Sequence, residues 1–477
     1  MLRHRLYLLV VALITSSVLP RVQGQRAETY CFTDDPDPYV RFSTKTAYTL
    51  ANGEFTHEDL VPEGCEARQA WHLMRHGTRY PSENDIIVFT VLLPTLQDGI
   101  LLAHQDGLGE LCEGDLKLLA DWSLGDLNVS WANVLTSQGH LDLEGLATRY
   151  KEAIPLLLDQ PFTNESFKFR HTATQRTEAS ARSYAQGLFG SDVYMPPPID
   201  PDPLLKYYEV CTSYQTQVAD NPEATIESQL YLEGEKMAAV ATNVSRRLGI
   251  PLGLEELEVL YDACRFYKAW DPLAPSAWCV ALTPDDLKVL EYWQDISYYY
   301  TNGYGHAINY EMACPPIQDL IEHFSAVVEG RGGPSGVFYF THSDAVVPVM
   351  TRLGLYKDSA PLTHDQENPD RFWRTSSHGI FATNLAFTLS SCGADGWWVS
   401  LAMSEHLVAL DGCASHLGCT WEEFIATYGY LQQCDLDAIC NNTRTGRSSS
   451  AASGGPELAW VEGVLHAITK WTSKLFT

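Results

Sequence analysis

The chain has 477 residues, well beyond a modal domain of roughly 100–150, so two intimately packed domains or one core with a large insertion is expected. A hydrophobic share of 45% supports a sizeable core and excludes a disordered chain. A net charge of −28 excludes a nucleic-acid-binding surface, and an anionic small molecule would have to enter a locally basic cleft, screened from the distant acidic field beyond roughly 10 Å.

Residues 1–24 carry Arg3 and Arg5, an apolar run over residues 6–18 and the end Val22-Gln23-Gly24, the pattern of a cleaved signal peptide. That run is short for a bilayer span, and no later stretch reads as one. The secretory pathway is therefore expected, with the mature protein secreted, held in the endoplasmic reticulum lumen or anchored at the cell surface. Twelve cysteines, all after residue 24, fit an oxidising compartment, and their even count permits full pairing. Spacing suggests local loops between Cys264 and Cys279, Cys413 and Cys419, and Cys434 and Cys440. Zinc is the competing reading for the C-terminal cysteines, but no Cys-x-x-Cys pair supports it and no metal is expected. Asn128, Asn164, Asn243 and Asn441 head N-x-S/T triplets and are candidate glycosylation sites.

Trp71, Leu73 and Met74 lead into Arg75-His76-Gly77-Thr78-Arg79-Tyr80-Pro81. The apolar run predicts a buried strand whose C-terminal end enters a loop, where open α/β sheets place ligands. Arg75 and Arg79 offer planar forks matched to phosphate oxygens, and His76 between them is a nitrogen nucleophile able to carry a phosphoryl group. Gly77 fits a turn or a close approach to a ligand, and His72 reads as a satisfied core or loop histidine. Thr136 is the predicted N-cap of a helix with apolar positions Leu143, Leu146, Ala147, Tyr150 and Ile154. A helix is also predicted over residues 178–188, and Arg176 just before it reads as a solvated position, with an orienting role at the site as the second reading. Helix-like runs cover residues 226–248 and 284–300. An aromatic, β-branched run over 336–341 ends in His342-Ser343-Asp344, and a helix follows over 345–353, which Asp344 could cap. Residues 443–455 read as a flexible linker. Trp460, Val464, Leu465, Ile468, Trp471 and Leu475 then recur at helical spacing, with Lys470 and Lys474 on the polar side. This tail would attach peripherally to a membrane, dock on the core or serve as a GPI signal, a role that its charged residues oppose.

The order R-H-G-x-R-x-P at residues 75–81 resembles the signature of the histidine acid phosphatase family, and the resemblance extends over most of the chain. Leu135-Thr136-Ser137-Gln138-Gly139 looks like the family's helix start, and residues 170–177 like the segment supplying a further phosphate-binding arginine, taken as Arg170. Trp278-Cys279, Lys288 to Tyr292, Gly303-Tyr304-Gly305 and Leu353 to Asp358 resemble the multiple inositol polyphosphate phosphatase branch. The resemblance implies an α/β fold, with a mostly parallel central sheet flanked by helices and an α-rich cap inserted at roughly 190–330 within a catalytic domain of residues 25–442. It implies two-step phosphoryl transfer without a cofactor: His76 as nucleophile, Asp344 as proton donor, and Arg75, Arg79, Arg170 and His342 as the phosphate-binding set. The branch has His-Ala-Glu where this chain has His342-Ser343-Asp344, a carboxyl one methylene shorter. The implied partner is a small-molecule polyphosphate, an inositol polyphosphate. A broad acid or 2,3-bisphosphoglycerate phosphatase, and a catalytically weak binding protein on the same scaffold, are the alternatives; nothing in the sequence assigns an oligomeric state.

Overall fold

The computed structural model describes residues 30–52 and 60–442; the expected signal peptide, linker and C-terminal tail lie outside the described residues. Its strands are β1 (Glu66–Arg75), β2 (Phe167–His171), β3 (Gly336–Thr341), β4 (Asn384–Ser391), β5 (Trp397–Met403), β6 (His406–Leu407) and β7 (Cys419–Thr420). They form one sheet in the order β2-β3-β1-β4-β5-β6, with β7 on β5. β1, β2 and β3 run parallel, whereas β4 and the strands after it pair antiparallel. The α/β fold with flanking helices is as expected, but the sheet is mixed where a mostly parallel one was implied. Long helical connections separate β1, β2 and β3, as parallel pairing requires. Residues 392–396, with Gly393 and Gly396 at positive φ, instead turn β4 straight back into β5.

The helices that matter here are α1 (Glu83–Gln105), α2 (Ser137–Ala153), α3 (Gln175–Phe189), α4 (Leu254–Trp270), α5 (Pro284–Asn302), α6 (Cys314–Val328) and α7 (Ser343–Arg352). Strand alternation sorts the sheet's side chains between two cores. Trp71, Leu73 and Val337 pack with Phe89 of α1, Phe266 of α4, Ile296 of α5 and Phe324 of α6, while Met74, Phe338 and Phe340 pack with Leu146 of α2 and Tyr184 of α3. Between β2 and β3 the regular elements are all helical, and the run read across 226–248 is two helices, Ile226–Leu232 and Glu235–Leu248, divided at Glu233-Gly234. By length and composition α1 could cross a membrane, contrary to the reading that no later stretch qualifies, but half of its apolar window is buried in this core.

All twelve cysteines are paired. The local loops Cys264–Cys279 and Cys413–Cys419 are present. Cys434 and Cys440 do not pair with each other as spacing suggested: Cys434 joins Cys314 at the start of α6, and Cys440 joins Cys211. Cys440 follows the short helix Leu436–Ile439, which carries it away from Cys434 and towards the backbone of Ser213.

Candidate active site

Register builds the site. Arg75 of β1 lies opposite Thr341 of β3, so His76 and His342, the next residue of each chain segment, emerge side by side with ring centroids 5.5 Å apart. His171 of β2 lies opposite Phe340, which brings Thr172 to the same level, with Thr172 Oγ1 3.0 Å from His342 Nε2. The C-terminal ends of three parallel strands thus open into one cavity of about 340 Å³.

The loop after β1 is clamped onto α2. A Cβ on Gly77 would lie 2.5 Å from Gly139 O, and one on Gly139 would lie 2.2 Å from Thr78 O. Gly77 is therefore needed for a close approach to a helix. Thr136 caps α2 as expected, accepting from Gly139 N, and its hydroxyl donates to Thr78 O. Thr78 Oγ1 donates to the buried carboxyl of Asp142, and Gly77 N donates to Ser180 Oγ on α3.

His76 is buried, and its Nδ1 lies 2.8 Å from Gly77 O. A carbonyl only accepts, so Nδ1 carries the proton and the Nε2 lone pair is left for chemistry. Burial first, then the charges of Arg75 and Arg176, hold the imidazole well below the usual histidine pKa, which favours its neutral form. His342 is held low in the same way, by burial, Arg176 and Lys206. Arg176 Nη2 donates to His342 Nδ1 at 3.3 Å, which places the His342 proton on Nε2 towards Thr172.

Arg75 donates through Nη1 to Thr44 O and Gly379 O and lies over the Phe381 ring, which fixes its plane. Its Nε, like that of Arg176, is buried with no partner among the described residues. Burial pushes both guanidinium groups down to about 10, with repulsion from Arg79 contributing in each. Arg79 lies over the Phe266 ring and donates through Nη1 to Tyr80 O. The cavity is lined by the cations Lys45, Arg75, Arg79, Arg176 and Lys206 against the acids Glu209 and Asp344. It is thus strongly positive inside an acidic protein and suited to a multiply charged anion.

Of the residues read from the sequence, Arg75, His76, Arg79, His342 and Asp344 all line this cavity, and Arg170 does not. Arg170 grips the buried carboxylate of Asp202 with Nε at 3.0 Å and Nη2 at 2.6 Å. It stands opposite Tyr339, two residues before Thr341, the level at which Arg75 ends β1, so it stops short of the cavity although it shares the sheet face of Arg75. The arginine in the cavity is Arg176, in the first turn of α3, where a solvated position was read. Asp344 is not a cap: His342 holds the N-cap position of α7, and Asp344, one residue inside, accepts from Asn302 Nδ2 at 3.3 Å and from Ser343 Oγ at 3.4 Å. His72 is a fully buried core histidine with Nδ1 2.9 Å from the Tyr184 hydroxyl, but it is only half satisfied, since Nε2 is buried with no partner among the described residues. Sequence reading missed Lys45, which burial pushes down to about 7 beside Asp262. No local pattern marks it, because it reaches the cavity from the distant N-terminal segment through the turn Ser43–Lys45.

Comparison with known proteins agrees with this geometry. The model of the histidine phosphatase superfamily (branch 2) matches residues 66–404, from the start of β1 to just past β5. Multiple inositol polyphosphate phosphatase 1 of Drosophila melanogaster is 31% identical over 442 residues, covering 89% of this chain and 92% of that protein. The Homo sapiens protein of the same name is 28% identical, covering 86% of this chain and 90% of its own length. Among solved structures, the phytase from D. castellii superposes with a TM-score of 0.65 at 15% identity, covering 87% of this chain and 92% of its own. Bifidobacterium longum multiple inositol polyphosphate phosphatase in complex with inositol hexasulfate gives 0.59 at 16% identity, covering 79% and 95%. Strand order, the two histidines at adjacent strand ends and a match spanning β1 to β5 make this chain a member of branch 2 of the histidine phosphatase superfamily.

Proposed function

We propose that the chain is a phosphomonoesterase that hydrolyses inositol polyphosphates through a phosphohistidine intermediate. The observation that carries this reading is His76 with Nδ1 committed to Gly77 O and Nε2 without a partner among the described residues, set among Arg75, Arg79 and Arg176 in a cavity that a polyanion would neutralise. Nε2 attacks phosphorus in line and forms the P–N bond as the ester P–O bond breaks. Asp344 delivers a proton to the leaving oxygen. Water then attacks phosphorus, the P–N bond breaks and its electron pair returns to Nε2, while the Asp344 carboxylate takes the proton from water. The three arginines stabilise the charge that spreads over the equatorial oxygens. His342 joins them once a bound dianion draws a proton to its Nδ1 and turns Arg176 Nη2 from that nitrogen to the phosphate. The names of the relatives, and the inositol hexasulfate held by the Bifidobacterium longum enzyme, support the substrate class. Six disulfides support an oxidising compartment, so we place the protein in the secretory pathway, secreted or in the endoplasmic reticulum lumen.

The experiment is phosphate release from inositol hexakisphosphate and from p-nitrophenyl phosphate. Preference for the first in kcat/KM is the expected result. Preference for the aryl ester would favour a broad acid phosphatase, and binding of the hexakisphosphate without release would favour a binding protein.

A further inference from the structure

The phosphoryl transfer leaves one acid of the cavity unused. Glu209 lines it, and in a pocket for an anion a spare carboxylate opposes binding by like-charge repulsion. Its partner is Lys206, with Nζ 2.5 Å from Glu209 Oε1; the lysine side chain is 15% exposed and the glutamate 43%. Lys206 is fixed from both sides. Leu205 O accepts from Thr341 Oγ1 at 2.6 Å, next to His342, and the Tyr207 hydroxyl donates to Ala345 O at 2.6 Å, next to Asp344. Asp202 accepts from the amides of Leu204 and Leu205 while Arg170 grips it, so Arg170 positions the segment that carries Lys206. The lysine is thus held firmly at the wall, whereas its glutamate sits at the solvent side with room to leave.

We propose that Lys206 and Glu209 form a displaceable ion pair that selects substrates bearing more than one phosphate. With one phosphate of an intact ester seated against His76, a second phosphate of the same molecule replaces Glu209 on Lys206, and the glutamate turns out to water. An ester with a single phosphate leaves the pair closed and gains nothing from Lys206. This rests on the reading of the cavity as the site of phosphoryl transfer and narrows its substrates to esters with neighbouring phosphates.

The test is the ratio of kcat/KM for inositol hexakisphosphate to that for p-nitrophenyl phosphate in the wild type, Lys206→Met, Glu209→Gln and the double variant. Loss of a charge-assisted contact should lower the ratio about tenfold in Lys206→Met. Glu209→Gln should raise it severalfold alone, but leave it within about twofold when added to Lys206→Met, because the two side chains act as one unit. Equal loss on both substrates in Lys206→Met would mean that the lysine acts through His342, and would overturn the proposal. So would a rise from Glu209→Gln of the same size in both backgrounds, which marks general charge. Should Lys206→Met fail to fold, an unchanged or lowered ratio in Glu209→Gln alone overturns it. A wild type that releases no phosphate from the hexakisphosphate defeats the proposed function itself, a separate outcome from an active wild type whose ratio ignores the pair.

Discussion

At the residue scale, the two arginines of one segment divide the labour between chemistry and architecture. Arg176 faces His76 and His342 in the cavity, so Arg176→Ala should lower kcat/KM by about 10²-fold with little change in melting temperature, the loss typical of one transition-state donor. Arg170→Ala leaves Asp202 buried and unpaired, and should cost about 3 kcal/mol of stability. Thermal melts and steady-state kinetics on both variants check the contrast; Arg170→Ala with native stability and a 10²-fold kinetic loss would reverse the assignment. Asp344 is tested by leaving group. Asp344→Asn should slow inositol polyphosphate hydrolysis strongly and p-nitrophenyl phosphate much less, since a phenolate-type oxygen departs with little need of a proton. If neither substrate slows, the donor lies elsewhere. Arg75, His76, Arg79, His342 and Asp344 were legible because each lies at or just beyond the end of a strand whose apolar run can be read. Arg170 misled because the segment resemblance does not tell which of its two arginines lies beyond the strand: Arg170 stays within β2, and Arg176 falls in the first turn of α3.

At the element scale, the start of α2 is the brace of the loop after β1. Asp142 on this helix accepts from Thr78 Oγ1 at 3.0 Å, and burial pushes its carboxyl up to about 6. The folded protein therefore holds a proton that an unfolded carboxyl, with a pKa of about 4, gives up. The stabilising share of that proton is present below about pH 4 and lost as pH rises through about 6. Asp142→Asn does not titrate, so its melting temperature should compare worst with the wild type near pH 4 and improve towards pH 7; a difference independent of pH would contradict the linkage. β1, β3, α2, α3, α5 and α7 were readable from apolar periodicity and caps. The β4–β5 hairpin carries the same kind of signal, two apolar runs around a glycine-bearing turn, but no chemistry drew attention to it. The break at Glu233-Gly234 was hidden because both helices keep one apolar period across it.

At the scale of the whole molecule, an acidic protein presents a basic cavity, and the two fields have different ranges. The net charge of −28 repels a polyanion at a distance, while Lys45, Arg75, Arg79, Arg176 and Lys206 attract it close in. Raising ionic strength from about 0.01 to 0.1 M shortens the screening length from about 30 to 10 Å, which silences the first before the second. Hence kcat/KM for inositol hexakisphosphate should first rise with added NaCl, by a factor of a few, and then fall. A monotonic fall would show that the cavity dominates at every range. Composition made the acidic exterior legible, but not the disulfide map, because Cys314–Cys434 and Cys211–Cys440 span 120 and 229 residues and depend on the packed fold.

The central claim is that His76 carries the phosphoryl group, and phosphate release by His76→Ala tests it most directly. In a protein whose circular dichroism and melting match the wild type, turnover of inositol hexakisphosphate should fall by at least about 10³-fold, as removal of a covalent nucleophile does. Activity within tenfold of the wild type in that folded variant would contradict the account.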